Sequence, residues 1–162
     1  MVRRFFYIIA AICVCTLSFS GCVTYHHAAF YDFKTKLIGT ELDGSYTLTA
    51  WGRARTAVDA YNQAKKQAVY DIVFTGVEPQ TTNLTRLLPL LIEVNAKDKY
   101  QDYFEHFFVD KGEYTEYCSM KDKKWQSSEF YKSNKQVVCK TTVIVYRSKL
   151  KNKLTQDKII KN

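Results

Sequence analysis

Glycine and proline are scarce in this chain, at 6 and 2 of 162 residues. That excludes collagen-like and Gly/Pro-rich low-complexity classes and leaves few sites for tight turns. Histidine is rarer than glycine, with three residues, His26, His27 and His106. No HExxH helix, nucleophile elbow, phosphate-binding glycine loop or dinucleotide fingerprint occurs. No internal repeat is visible. Acidic side chains number 16 against 24 basic ones, a formal net charge of +8. No apolar run reaches the ~20 residues that a membrane-spanning helix needs. What remains is 46% hydrophobic, 25% charged and 15% aromatic. That balance suits one globular domain and argues against long disorder.

The first twenty-two residues carry the most specific signal. Arg3 and Arg4 precede an uncharged run, Phe5 to Ser20, and then Ser20-Gly21-Cys22. A basic start, a short apolar core and a small-residue end is the layout of an export signal. With the Cys in place, the segment resembles that of the bacterial lipoproteins, whose signals end in a lipobox. Ser20, Gly21 and Cys22 match its last three positions. The resemblance implies a signal peptide at 1–21, cleavage before Cys22, and lipid on the Cys22 sulfur. Two or three acyl chains hold a protein on a bilayer where one holds it marginally. Val23 follows the Cys, and in enterobacterial lipoproteins a missing Asp there implies passage to the outer membrane. The expected address is its periplasmic face.

Under this reading Cys13 and Cys15 leave with the signal, and Cys118 and Cys139 remain in an oxidising compartment. Both sit in strand-like text. The expectation is a Cys118–Cys139 disulfide between antiparallel strands, stabilising by ~3 kcal/mol through loop closure. Two separately buried thiols are the alternative. Two Cys without a neighbouring ligand do not fill a metal shell, and His26-His27 lacks identifiable partners, so no metal and no cofactor is expected.

Residues 22–43 show no clean period and read as a lipidated tether and lead-in; 44–162 read as one domain. Ser45 to Trp51 alternates as a half-buried strand closed by Gly52 and Arg53, with Tyr46, Leu48 and Ala50 on one face. Thr56 and Asp59 form a capping pattern for a helix to about Phe74, stopped by Gly76. Ala57, Tyr61, Ala64, Ala68 and Ile72 form its apolar stripe; Asn62, Lys65, Lys66 and Asp71 fall on the other side. The abundance of Ala predicts close approach to a sheet. Leu87 to Ile92, broken by Pro89, reads as a buried connection or short edge strand. Asn95 to Asp98 opens a second helix with an aromatic stripe of Tyr100, Tyr103, Phe104, Phe107 and Phe108, read as core packing. Glu113 to Cys118 and Val137 to Tyr146 read as strands around a long polar hairpin loop. A basic helix from Ser148 places Leu150, Leu154 and Ile159 inward.

The order predicts an α+β fold, a small, mainly antiparallel sheet with helices packed on one face, a two-layer sandwich. A strand ending in Gly, an Ala-periodic helix (Ala57, Ala60, Ala64, Ala68) and a late hairpin resemble the domain shared by certain small envelope lipoproteins and the flagellar outer-membrane-associated T-ring protein. That resemblance implies an envelope-assembly role.

Without Arg3 and Arg4, 22 basic side chains face 16 acids. Bases concentrate between Met120 and Lys140 and again from Arg147 onward. Candidate interaction residues are Lys121, Lys123, Lys124 and Trp125 on the loop and Lys149, Lys151 and Lys153 on the last helix. Simple solubility also accounts for such charge. The functional expectation is a non-enzymatic scaffold subunit of an envelope assembly, such as a trans-envelope, type VI-like secretion complex. It would be anchored in the outer membrane and paired with an envelope protein partner. The alternative is a glycan- or lipid-binding module using exposed aromatics and the basic hairpin. Nucleic acid suits the charge but not the address.

Overall fold

A computed structural model of the chain describes residues 25–27, 32–121, 128–133 and 135–160. Two long strands form the centre. β3 (Tyr46–Ala54) and β7 (Gln136–Val145) are antiparallel, in continuous register from Tyr46 opposite Val145 to Ala54 opposite Val137. Period-2 alternation then places Tyr46, Leu48, Ala50 and Gly52 on one face with Val145, Val143, Thr141 and Cys139. Around this pair lie β1 (Tyr25–His27), β2 (Lys36–Thr40), β4 (Glu78–Pro79), β5 (Cys118–Met120) and β6 (Glu129–Ser133). The sheet order is β1-β6-β7-β3-β2-β4, with β5 also on β7. β1 joins β6 and β4 joins β2 in parallel; the other pairs are antiparallel. The second edge of β7 is divided, β6 taking Gln136 to Lys140 and β5 taking Val143 to Val145.

The α+β two-layer architecture expected from the sequence is the one found. Helix α1 (Ala57–Tyr70) lies across β3 and β7 on the face just described. Thr56 caps it, its Oγ1 accepting from the Asp59 amide at 3.1 Å, which satisfies one of the free donors of the first turn. Ala60, Ala64 and Ala68 are fully buried, as are Val69, Ile72 and Val73. β3 does not stop at Gly52 but continues through it to Ala54. A Cβ at Gly52 would lie inside 3.0 Å of Ala60 O and Ala64 N, both backbone atoms of α1. The glycine is therefore a contact surface for the helix rather than a strand terminator.

After α1 the chain widens into a π turn, Asp71–Thr75, closed by Gly76 at φ 76°. Asp71 is not on the solvated side but 8% exposed; seven residues after Ala64, it continues the alanine face of the helix. The carbonyls of Ile72 and Val73 accept from the amides of Leu90 and Leu91 at 3.0 and 2.9 Å. This docks the segment after Pro89 and buries its two middle leucines.

The second helix is broken in two, α2 (Ala96–Lys99) and α3 (Gln101–Phe107), with Tyr100 at φ −115° between them. Phe104 and Phe107 are buried, and Tyr100, Tyr103 and Phe108 pack against the same core, so the aromatic stripe is core as expected. Glu113–Tyr117 is a 3-10 turn, not a strand. Its buried residues Tyr114 and Tyr117 stand three apart, the period that aligns side chains on a 3-10 turn. Only Cys118–Met120 pairs as strand. The polar stretch read as one loop contains β6, which meets β7 through a turn with Lys135 at φ 65°. The lead-in before residue 44 contributes β1 and β2 to the sheet. Helix α4 (Arg147–Gln156) closes the core with Leu150 and Leu154, joined by Ile159, all buried.

Candidate functional site

The expected disulfide is not formed; Cys118 and Cys139 are buried free thiols. Cys118 stands opposite Val145 in the β5–β7 ladder, six residues along β7 from Cys139. At ~3.3 Å per strand residue that is about 20 Å, far beyond the ~7 Å Cα limit of a disulfide. Desolvation pushes the Cys118 thiol up to about 11 and the Cys139 thiol up to about 12. Both are inert packing groups at neutral pH.

Of the interaction candidates, Lys123, Lys124 and Trp125 lie outside the described residues, as does Cys22. Lys121 is exposed and bonded to Glu41 Oε1 at 3.3 Å. Lys153 belongs to the fold. Its Nζ bridges Glu113 at 3.2 Å and Asp157 at 3.1 Å, and Asp157 also accepts from the Tyr103 hydroxyl at 2.6 Å. That cluster ties α4 to α3 and the 3-10 turn. Burial, followed by the hydrogen bond to Asp157, raises the Tyr103 pKa. Lys149 lies over the Tyr117 ring at 5.5 Å. Lys149 and Lys151 are exposed on α4.

Two features that sequence reasoning missed stand out. One is an apolar strip on the connection after β4. Leu88, Ile92 and Val94 are 61%, 78% and 84% exposed. Leu90 and Leu91 between them hold the backbone to the π turn, so the outward side chains are displayed from a fixed support. Arg147, at the start of α4, donates from Nη2 to the Leu88 carbonyl at 3.1 Å. The strip therefore adjoins the basic end of α4. Lone exposed apolar residues are ordinary; here three occur within seven residues.

The second is a cleft of about 500 Å³ between α1 and the α2–α3 pair. Tyr70, Phe74, Phe104 and Phe108 line it with Lys66, Lys97 and three glutamines. The Tyr70 and Phe74 rings are 4.8 Å apart, and Tyr70 and Phe108 5.9 Å. Nearby, the buried Asp71 carboxylate accepts from Thr35 Oγ1 at 2.5 Å and from Gln67 Nε2 at 3.0 Å. Desolvation raises its pKa against these hydrogen bonds. The spacing of the aromatic residues was visible in sequence. Their partial exposure was not, since it depends on how α2–α3 lies beside α1.

Among the described residues no group of three or more His, Cys, Asp or Glu side chains is arranged to hold a metal ion, and no helix is long and apolar enough to cross a membrane. His106 is exposed on α3. Compared with known protein families, curated proteins and solved structures, the chain matches none.

Proposed function

We propose that this protein is a lipid-anchored, non-enzymatic subunit of an outer-membrane assembly, presenting a docking surface on the side of its domain away from the bilayer. The observation that carries the reading is the position of the Leu88–Val94 strip relative to the strand nearest Cys22. β1 starts at Tyr25, three residues after Cys22. At most about 10 Å of extended chain therefore separates the lipidated sulfur's residue from the sheet. β1 is one edge of the sheet and β4 the other, five ladder steps apart, or about 24 Å. β6, which carries β1, is laddered to the start of β7, whereas Arg147 follows its end. The apolar strip is diagonal to β1. A lipid on Cys22 would hold β1 nearest the membrane and leave the far side of the sheet to a partner.

The partner chemistry follows from the neighbours. Arg147 borders the strip, its Nη2 bonded to the Leu88 carbonyl, so the surface suits an apolar segment carrying an acidic side chain at that end. The test is crosslinking and co-purification from membranes containing the full chain, beside an Ile92→Asp/Val94→Ser variant. A reproducible neighbour retained by the native chain and lost by the variant is expected. A strictly monomeric protein, or equal capture by both, defeats the reading. Metabolic labelling with palmitate, with Cys22→Ala as control, tests the anchor separately; label that persists in Cys22→Ala removes it.

A further inference from the structure

The cleft between α1 and α2–α3 is separate from the docking strip, and its chemistry is of another kind. Its floor is aromatic. Phe104 is buried, while Tyr70, Phe74 and Phe108 are half-buried and stand at mutual tilts of 42° to 55°. Ring surface left partly open in a concave site suits a ligand with an apolar face. The rim is polar and already oriented. Gln101 Nε2 donates to Glu105 Oε1 at 2.7 Å, which fixes that amide and leaves its carbonyl as acceptor. Gln67 Nε2 is held by Asp71 in the same way. Lys97 Nζ stands over the Tyr70 ring at 5.5 Å. Lys66 is engaged by Asp110 at 2.8 Å.

Charge decides the ligand class. The lining holds Lys66 and Lys97 against Asp98 and Glu105, and Asp110 beside it pairs with Lys66, so the site carries no large charge of either sign. Desolvating a strongly anionic or cationic ligand against such a balanced rim is unfavourable. A fully apolar ligand, such as an acyl chain, would strip water from the Gln101 carbonyl and the Lys97 ammonium and return no hydrogen bond, at roughly 1–3 kcal/mol each. A ligand with one C–H face and a periphery of hydroxyls meets both demands. The face lies on the rings, and the hydroxyls both donate to carboxylate and amide oxygens and accept from Lys97. We infer that this cleft binds a neutral oligosaccharide, with Tyr70, Phe74 and Phe108 as the stacking floor and Lys97, Gln101 and Glu105 as the hydroxyl-reading rim. This inference does not depend on the docking reading; either can fail without the other.

The test uses the full chain in lipid nanodiscs, titrated with tetra-N-acetylchitotetraose and separately with maltotetraose, followed by backbone amide NMR. Binding of at least one sugar is expected, with dissociation constants of roughly 0.1–1 mM and shifts concentrated in residues 63–74 and 97–108. Lys97→Ala/Gln101→Ala removes two exposed rim groups and is expected to weaken binding by about tenfold or more. Val58→Ala, on α1 but outside the cleft, is expected to bind as the native chain does. A chain that binds neither sugar at ~10 mM, equal affinity in the rim variant, or shifts mapping elsewhere overturns the inference. So does a cleft that takes myristate and excludes both sugars. An unchanged urea midpoint in the rim variant separates lost binding from lost folding.

Discussion

Gly52→Ala is the sharpest perturbation the fold offers, because it adds one carbon at the closest approach of helix to sheet. The new Cβ would be inside 3.0 Å of Ala60 O and Ala64 N and 2.9 Å from Gln63 C. All three neighbours are helix backbone, so no side-chain rotation relieves the contact. Restoring ordinary contact requires α1 to withdraw from β3 by about 1 Å, and such a gap forfeits a quarter to a half of each dispersion contact across it. The loss is shared by Ala60, Ala64, Ala68, Val69, Ile72 and Val73, each fully buried. Overpacking of this kind lies at or above the upper end of the usual range, about 3 kcal/mol. With a urea m-value of ~2 kcal/mol/M, the unfolding midpoint should fall by about 1.5 M. Gly39→Ala supplies the control, since a Cβ there meets nothing within 4 Å, and its midpoint should move little. Urea melts of the two variants beside the native chain are sufficient. A Gly52→Ala midpoint within ~0.2 M of native would falsify the claim that this glycine sets the helix–sheet distance.

Cys118 and Cys139 should resist alkylation in the native protein and react on unfolding, with no disulfide to reduce. A denatured, unreduced chain in which these two thiols remain blocked and are freed by reductant contradicts the register. Asp71 has a raised pKa, so the native state holds its proton more tightly than the unfolded state. Its contribution is greatest below the unfolded value of ~3.9 and falls as pH rises through the higher folded value. Asp71→Asn should remove that decline; the difference between native and variant urea midpoints from pH 4 to 7 measures it, and a pH-independent difference contradicts the burial. Tyr103→Phe should cost about 1–2 kcal/mol by deleting a hydrogen bond to the Asp157 carboxylate, read by the same melts. An unchanged midpoint removes the α3–α4 tie. Ile92→Asp/Val94→Ser should leave the midpoint nearly unchanged, since both positions are exposed; a large drop shows that the strip is packed within the domain.

The alternation from Tyr46 to Trp51, the cap at Thr56, the alanine period of α1 and the inward leucines of α4 were all readable in the chain. Each is a local pattern in which a side chain's neighbours along one element set its face. The two-layer arrangement of the elements followed from their order and their apolar faces. The 3-10 turn at Glu113–Tyr117 was not, because short runs of apolar and polar residues fit several periods. The disulfide expectation failed on a quantity absent from the chain, namely which residue of β7 stands opposite Cys118. Asp71 was assigned to the wrong side on its charge; seven residues after Ala64 and three after Ala68, it falls on the alanine face by the ordinary 3.6-residue period.

The candidate sites divide along the same line. The aromatic residues of α3 and the leucine-rich run around Pro89 announced themselves as apolar, and burial was the reasonable inference from composition. Whether an apolar side chain is covered depends on what the rest of the molecule places over it. The amides of Leu90 and Leu91 are taken by the π turn, which turns Leu88, Ile92 and Val94 outward. The kink at Tyr100 sets α2–α3 beside α1 at a distance that leaves a cleft. Local pattern determined the elements and their inward faces. Only long-range backbone hydrogen bonds and the close contact at Gly52 decided what those elements leave open.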